Sequence, residues 1–147
     1  MKENNLLLER QICFKLYIAS RKMTRLYQPL LENLGLTYPQ YLTMLVLWEE
    51  GIIDFKDLGQ RLDLKTGTLT PIVQKLEKLG HLTRVNNLKD KRKVDICLTK
   101  QGKDLLELAI DIPTNLAKNL MLDLESYSKY GQILDELVEK LNEAESK

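Results

Sequence analysis

Apolar positions recur at helical spacing near the start of the chain. Leu6, Leu7, Cys13, Leu16, Tyr17 and Met23 predict a first helix over roughly residues 5 to 27, ending near Pro29 or Gly35. Thr37 then stands as an N-cap for a second helix. Pro39 falls in its first turn, Leu42, Leu45 and Val46 supply its apolar face, and Gly51 stops it. Asp54 is the candidate cap of a short third helix that places Phe55, Leu58 and Leu62 on one side. After a turn at residues 63 to 65, Leu69, Val73, Leu76 and Leu79 or Leu82 form the stripe of a fourth helix that Gly80 ends. The period then changes from helical to alternating. Val94, Ile96 and Leu98 face one side of a strand, "LTRVN" is its partner, and "NLKDKRK" is left as a charged hairpin tip. From Thr99 the helical period returns, with Pro113 expected to kink a long helix, and "LESYSKYGQILDELVEKLNEA" predicts a last helix.

Net charge is +1 over the 147 residues, which conceals a strong asymmetry. Residues 1 to 55 are neutral, residues 56 to 103 carry +7 and residues 104 to 147 carry −6. The basic middle third suits a polyanionic partner. Two cysteines, no signal peptide and no long apolar run give the expectation of a reduced, cytoplasmic, single-domain protein without a membrane segment. One histidine and no Cys/His cluster leave no metal-ligand spacing, and no phosphate loop or nucleophile elbow is present. We therefore expect no catalytic residue, metal or cofactor, and no enzyme.

Helix, short helix, turn, helix and two-stranded hairpin is the order of a winged helix-turn-helix, whose later helix enters the DNA major groove. The fold class expected is mainly α with a small β-hairpin wing. Its double-stranded DNA contacts would come from Lys65, Thr66, Thr68, Thr70, Gln74, Lys75 and Lys78 on the fourth helix. Lys89, Asp90, Lys91, Arg92 and Lys93 of the hairpin tip would meet phosphates or the minor groove.

Cys13, Tyr17, Tyr27 and Tyr38 pose a separate question. If Cys13 and Tyr27 share one helix, 14 residues at about 1.5 Å each separate them by roughly 21 Å. Only Tyr17, one turn on, can approach Cys13 from the same helix. Tyr27 or Tyr38 can meet it only if the chain folds back or a second chain presents them, as a two-fold dimer of the terminal helices would.

The pattern Asp90-x-Arg92 followed by Leu98-Thr99-x-x-Gly102 resembles the wing of the MarR-type winged-helix transcription regulators. "ICFKLYIAS" (12 to 20), "LGLTYPQYL" (34 to 42) and "GTLTP" (67 to 71) are similar to its organic hydroperoxide sensors, the OhrR-like branch, over residues 10 to 113. The resemblance implies that N- and C-terminal helices (1–35 and 100–147) form a dimerisation region around a DNA-binding region at 36–99, in one intertwined domain. It implies that Arg92 enters the minor groove and Asp90 orients it. It also implies that two tyrosines hydrogen-bond the sensing cysteine across the dimer, and that oxidation of Cys13 by an organic hydroperoxide, with a low-molecular-weight thiol following, releases a pseudo-palindromic operator. No cysteine follows Cys97, so the one-cysteine type is implied. Where the branch usually has Asp-Ser, this chain has Lys65-Thr66, which affects operator choice. An alternative is a repressor released by a small aromatic or phenolic ligand between the dimerisation and DNA-binding regions, with Trp48 and the tyrosines as walls. A thiol peroxidase using Cys13 and a winged helix serving protein interaction alone are the readings from other classes.

Overall fold

The computed structural model describes residues 3–147, and the chain divides into two compact units, Met1–Ile112 and Pro113–Lys147. Residues 1 and 2 of the expected dimerisation segment lie outside the described residues.

In the first unit, two 3-10 turns, Glu3–Leu6 and Leu8–Arg10, precede α1 (Ile12–Leu31). The expected helix start near residue 5 is thereby corrected to Ile12. Leu6, Leu7 and Leu8 are exposed, and an apolar stretch left this exposed does not sustain helix by propensity alone. Helix α1 also continues through Pro29, which sits in its last turn, where the missing N–H removes a single intrahelical bond. The reversal comes at Gly35, at φ 63. Helix α2 (Tyr38–Glu50) starts where the Thr37 backbone N–H donates to Gln40 Oε1 at 3.0 Å. Its buried face is Tyr41, Thr43, Met44, Val46 and Leu47. Leu45, expected on that face, is 41% exposed, because the buried arc centres on Met44 and Leu47 and turns Leu45 outward beside Glu49.

A three-residue strand, β1 (Ile52–Asp54), follows and was too short for alternation to reveal. Asp54 then caps α3 (Phe55–Leu62), accepting from Lys56 N at 2.9 Å. Helix α4 (Thr66–Lys78), β2 (Leu82–Asn86) and β3 (Val94–Leu98) complete the expected order. The sheet is antiparallel in the order β1-β3-β2, with Ile53 and Arg84 flanking Ile96. Leu58, Leu69, Val73, Leu76 and Ile96 are fully buried together with Met44 and Leu47, each stabilising the unit by about 1.5–3 kcal/mol.

Helix α4 ends in a Schellman turn. The His81 N–H donates to Leu76 O at 3.0 Å and the N–H of Gly80, at φ 83, to Glu77 O at 2.9 Å. Thr99 Oγ1 donates to Gly80 O at 2.7 Å and accepts from Gly102 N at 3.0 Å, opening α5 (Lys100–Ala109). A Cβ on Gly102 would fall onto the His81 carbonyl, so only glycine lets α5 start this close to the end of α4. His81 itself is buried with Nδ1 unpartnered among the described residues, and burial pushes its pKa below the ordinary histidine value. The folded state therefore favours neutral imidazole, while the unfolded chain takes up a proton as pH falls through that ordinary value. Stability is expected to fall on acidification from about pH 7 to about pH 5.5. His81 is the single histidine, so the drop in urea midpoint across this window should flatten in His81→Leu.

The second unit begins as α6 (Ile112–Leu120) proceeds, with Pro113 at its second position. The expected kink is instead a break: α5 stops at Ala109, and Pro113 sits where a new helix tolerates a missing donor. Asp123 accepts from Ser126 N at 2.7 Å to cap α7 (Leu124–Glu145). Along α7, Tyr127, Tyr130, Leu134, Val138 and Leu141 form a stripe at spacings of three and four, and all are exposed.

Candidate functional site

Helices α3 and α4 meet through a turn that needs both a left-handed residue and a small one. Asp63 takes φ 52, and the Leu64 N–H bonds Gly59 O at 2.9 Å. A Cβ on Gly59 would approach Leu64 O to 2.9 Å. This anchors α4 by Leu69, Val73 and Leu76 and leaves Lys65, Thr66, Gly67, Thr68, Gln74, Lys75 and Lys78 on the exposed side. Thr70 is half-buried, and its hydroxyl donates to Thr66 O at 2.8 Å. Its oxygen therefore remains as an acceptor. Pro71 lacks the N–H that would bond the Gly67 carbonyl, which leaves a second acceptor on this first turn. Lys65 occupies the cap position of α4 without a side-chain cap bond. An open helix N-terminus with an ammonium beside it is suited to a phosphate.

The wing is hydrogen-bonded at its base and tip. Glu77 on α4 holds Arg84 on β2 by Nε at 2.9 Å, by backbone N at 3.1 Å and by Nη2 at 2.7 Å. The Arg84 guanidinium, then its backbone N–H, keeps the Glu77 carboxyl below the usual carboxylate range. This clamp between α4 and the wing was not legible in the sequence; opposite charges seven residues apart across the α4–β2 turn were its one signal. At the tip, Asn87 Oδ1 accepts from Lys89 N at 2.9 Å and Asp90 N at 3.1 Å. Asp90 Oδ1 in turn accepts from Arg92 N at 3.1 Å and Arg92 Nε at 3.2 Å. The Asp90 carboxyl is held low first by the Arg92 backbone N–H and next by its side chain. The Arg92 side chain is 91% exposed, so it projects from the tip with its terminal N–H groups uncommitted to Asp90. Lys89, Lys91 and Lys93 are exposed around it. Lys56 and Gln60 of α3 border the crevice of about 500 Å³ between wing and helices and were not singled out from sequence.

The second set of residues lies on α1 and the start of α2. Cys13, Tyr17 and Tyr27 share α1, and at 100° per residue they fall within an arc of about 80°. Cys13 is a free, exposed thiol. The helix is continuous from Cys13 to Tyr27, so the roughly 21 Å between them stands within one chain. Tyr38, first residue of α2, packs against Tyr27 with ring centroids 4.6 Å apart, and Tyr41 stands 5.8 Å from Tyr27. Burial raises the Tyr38 phenol above its usual range, which keeps it a hydrogen-bond donor. Tyr17 instead lies under the Arg21 guanidinium, 5.3 Å from its ring centre. Two of the three tyrosines are thus assembled, and Cys13 is about four turns away from them. Trp48 Nε1 donates to Gly102 O at 2.8 Å, tying α2 to α5. Cys97, half-buried on β3, has a thiol pushed up by burial and then by Asp95.

A three-helix core with α4 exposed beside a basic wing defines a winged-helix DNA-binding regulator. The chain belongs to the SarA/Rot family of MarR-like transcription regulators: the family described as "Transcriptional regulator SarA/Rot" matches residues 25–108. It is 47% identical to the organic hydroperoxide resistance transcriptional regulator of Bacillus subtilis over 112 residues, 76% of each chain. With the HTH-type transcriptional regulator SarZ of Staphylococcus saprophyticus it shares 34% identity over 140 residues, covering 95% of this chain and 96% of that one. The structure of reduced AbfR bound to DNA superposes with a TM-score of 0.83 at 33% identity, over 98% of this chain and 99% of AbfR. The protein is a DNA-binding transcription regulator and not an enzyme. Among the described residues, no helix is long and apolar enough to cross a membrane.

Proposed function

We propose that the protein is a cytoplasmic homodimeric repressor whose Cys13 senses organic hydroperoxide and whose oxidation releases a pseudo-palindromic operator. The observation that carries it is the Tyr27–Tyr38 pair on α1 and α2, with an exposed Cys13 on the same face of α1 roughly 21 Å away. A second copy related by a two-fold axis brings each Cys13 to the other chain's phenols. The uncovered stripe on α7 supports the same dimer, with residues 1–35 and 100–147 as the dimerisation helices and 36–99 as the DNA-binding region. The hydroperoxide resistance regulator among its relatives and the reduced, DNA-bound state of AbfR support the redox reading.

The Cys13 thiolate attacks one peroxide oxygen, the O–O bond breaks, and the alkoxide leaves with a proton as the alcohol, giving sulfenic acid. A small thiol then attacks that sulfur, water leaves, and a mixed disulfide forms. Phenol donors that held the thiolate lose it, and the dimer helices shift the spacing of the two α4 helices. A fluorescence anisotropy titration on the promoter fragment is expected to show full release with cumene hydroperoxide and recovery with a dithiol reductant. Unchanged binding would refute the sensor.

Recognition of DNA would use Lys65, Thr66, Thr68, Thr70, Gln74, Lys75 and Lys78 with Lys89, Lys91, Arg92 and Lys93, Asp90 orienting Arg92. Lys65→Asp separates stability from binding. It supplies a cap worth about 1 kcal/mol and removes a cation from each half-site. The melting temperature should rise while operator affinity falls at least about tenfold at moderate salt. Release by a small phenolic ligand is a second reading, favoured by an open groove of about 810 Å³ beside Tyr38, although Trp48 is committed to Gly102. Fluorescence titration with salicylate that leaves DNA affinity unchanged would remove it.

A further inference from the structure

The groove between α1 and the start of α2, about 810 Å³, has Tyr38 on its rim with Ser20, Thr24 and Gln28, and two arginines one turn apart, Arg21 and Arg25. We propose that this groove is an anion subsite that receives the carboxylate of the small thiol capping the oxidised Cys13 of the second chain. It rests on the dimeric sensor proposed above.

Place, charge and reactant chemistry each point there. Tyr38 belongs both to the groove and to the phenol pair, so a sulfur brought to Tyr27 and Tyr38 lies beside the groove that Arg21 and Arg25 also line. Glu32 is the single acid in the lining, and among the described residues no carboxylate lies within 4 Å of Arg21 or Arg25. Arg21 is steadied over the Tyr17 ring rather than neutralised. A neutral hydroperoxide makes no use of two guanidinium groups, whereas the reactant that follows it carries a carboxylate whenever it is an amino-acid or peptide thiol. Guanidinium presents paired donors to that group. The volume is that of ordinary small-molecule sites, so a thiol of peptide size is accommodated. The step is the balanced one above: sulfenic acid plus thiol gives mixed disulfide plus water, and the groove acts only on which thiol arrives.

Full-length protein is treated with cumene hydroperoxide, the sulfenic acid is quantified by a dimedone probe, and capping is then timed with N-acetylcysteine or with N-acetylcysteamine, which lacks the carboxylate. Wild type should be capped about tenfold faster by N-acetylcysteine. In Arg21→Gln/Arg25→Gln that preference should vanish when capping is timed per sulfenic acid formed, with DNA affinity of the reduced protein unchanged. Sulfenic acid formed but no preference in wild type, or a preference that survives in the variant, overturns the subsite alone. A loss confined to oxidation by linoleic acid hydroperoxide would assign the carboxylate to the oxidant and also overturn it. Absence of any Cys13 sulfenic acid in wild type would overturn the sensor and the subsite together.

Discussion

Arg92→Ala is expected to reduce operator affinity by roughly 10²-fold. An arginine in a groove is worth about 1–3 kcal/mol, and a two-fold dimer loses it twice. Asp90 fixes the backbone and Nε of Arg92 and leaves the terminal N–H groups of a 91% exposed side chain uncommitted to it. The fold should be indifferent, since that side chain is 91% exposed, so the thermal midpoint should match wild type. Lys89→Ala is the contrasting variant: a pure phosphate contact should weaken all sequences alike and reduce the salt slope by about 0.9 per contact, roughly 2 for the dimer. Asp90→Ala should fall between them, because it frees Arg92 without removing it. If Arg92→Ala binds its operator as tightly as wild type, the wing is not part of the interface.

Cys13→Ser is expected to abolish the response to organic hydroperoxide altogether while leaving reduced-state DNA affinity within about twofold. Serine keeps the size and polarity of an exposed position but offers no sulfur to oxidise. Cys97 serves as the internal control. Its thiol is pushed up by burial and by Asp95, which lowers its thiolate fraction, so Cys97→Ser should retain the wild-type response. Equal hydroperoxide-induced release in wild type and Cys13→Ser would end the case for Cys13 as the sensor.

Where local chemistry specifies structure, the sequence was readable. Asp54, Thr99 and Gly80 mark helix ends by side-chain acceptors or a left-handed backbone, and each does so in the fold. The change from a period near four to a period of two located β2 and β3 and their charged tip. What escaped depends on neighbours distant in sequence. Leu45 turned outward because α2 is packed along one wide arc that its own periodicity does not locate. Leu6 and Leu7 promised a helix, but both remain exposed in the fold. The Glu77–Arg84 clamp and the arginine-lined groove exist only once α4 meets β2 and α1 meets α2. For the proposed redox residues, spacing alone stated the geometric problem: Tyr27 cannot reach Cys13 along one helix. The Tyr27–Tyr38 contact, which spacing could not give, then brings two of the proposed residues together.

Completion of the sensor between two chains is tested most directly by a heterodimer. One chain carries Cys13→Ser, the other keeps Cys13 but carries Tyr27→Phe and Tyr38→Phe. In a site built across the dimer, the remaining Cys13 faces intact phenols on its partner, and its rate of sulfenic acid formation should equal the wild-type rate per site. If that cysteine instead reacts at the slow rate of the doubly phenylalanine-substituted homodimer, the tyrosines act within their own chain and the proposed switch is wrong.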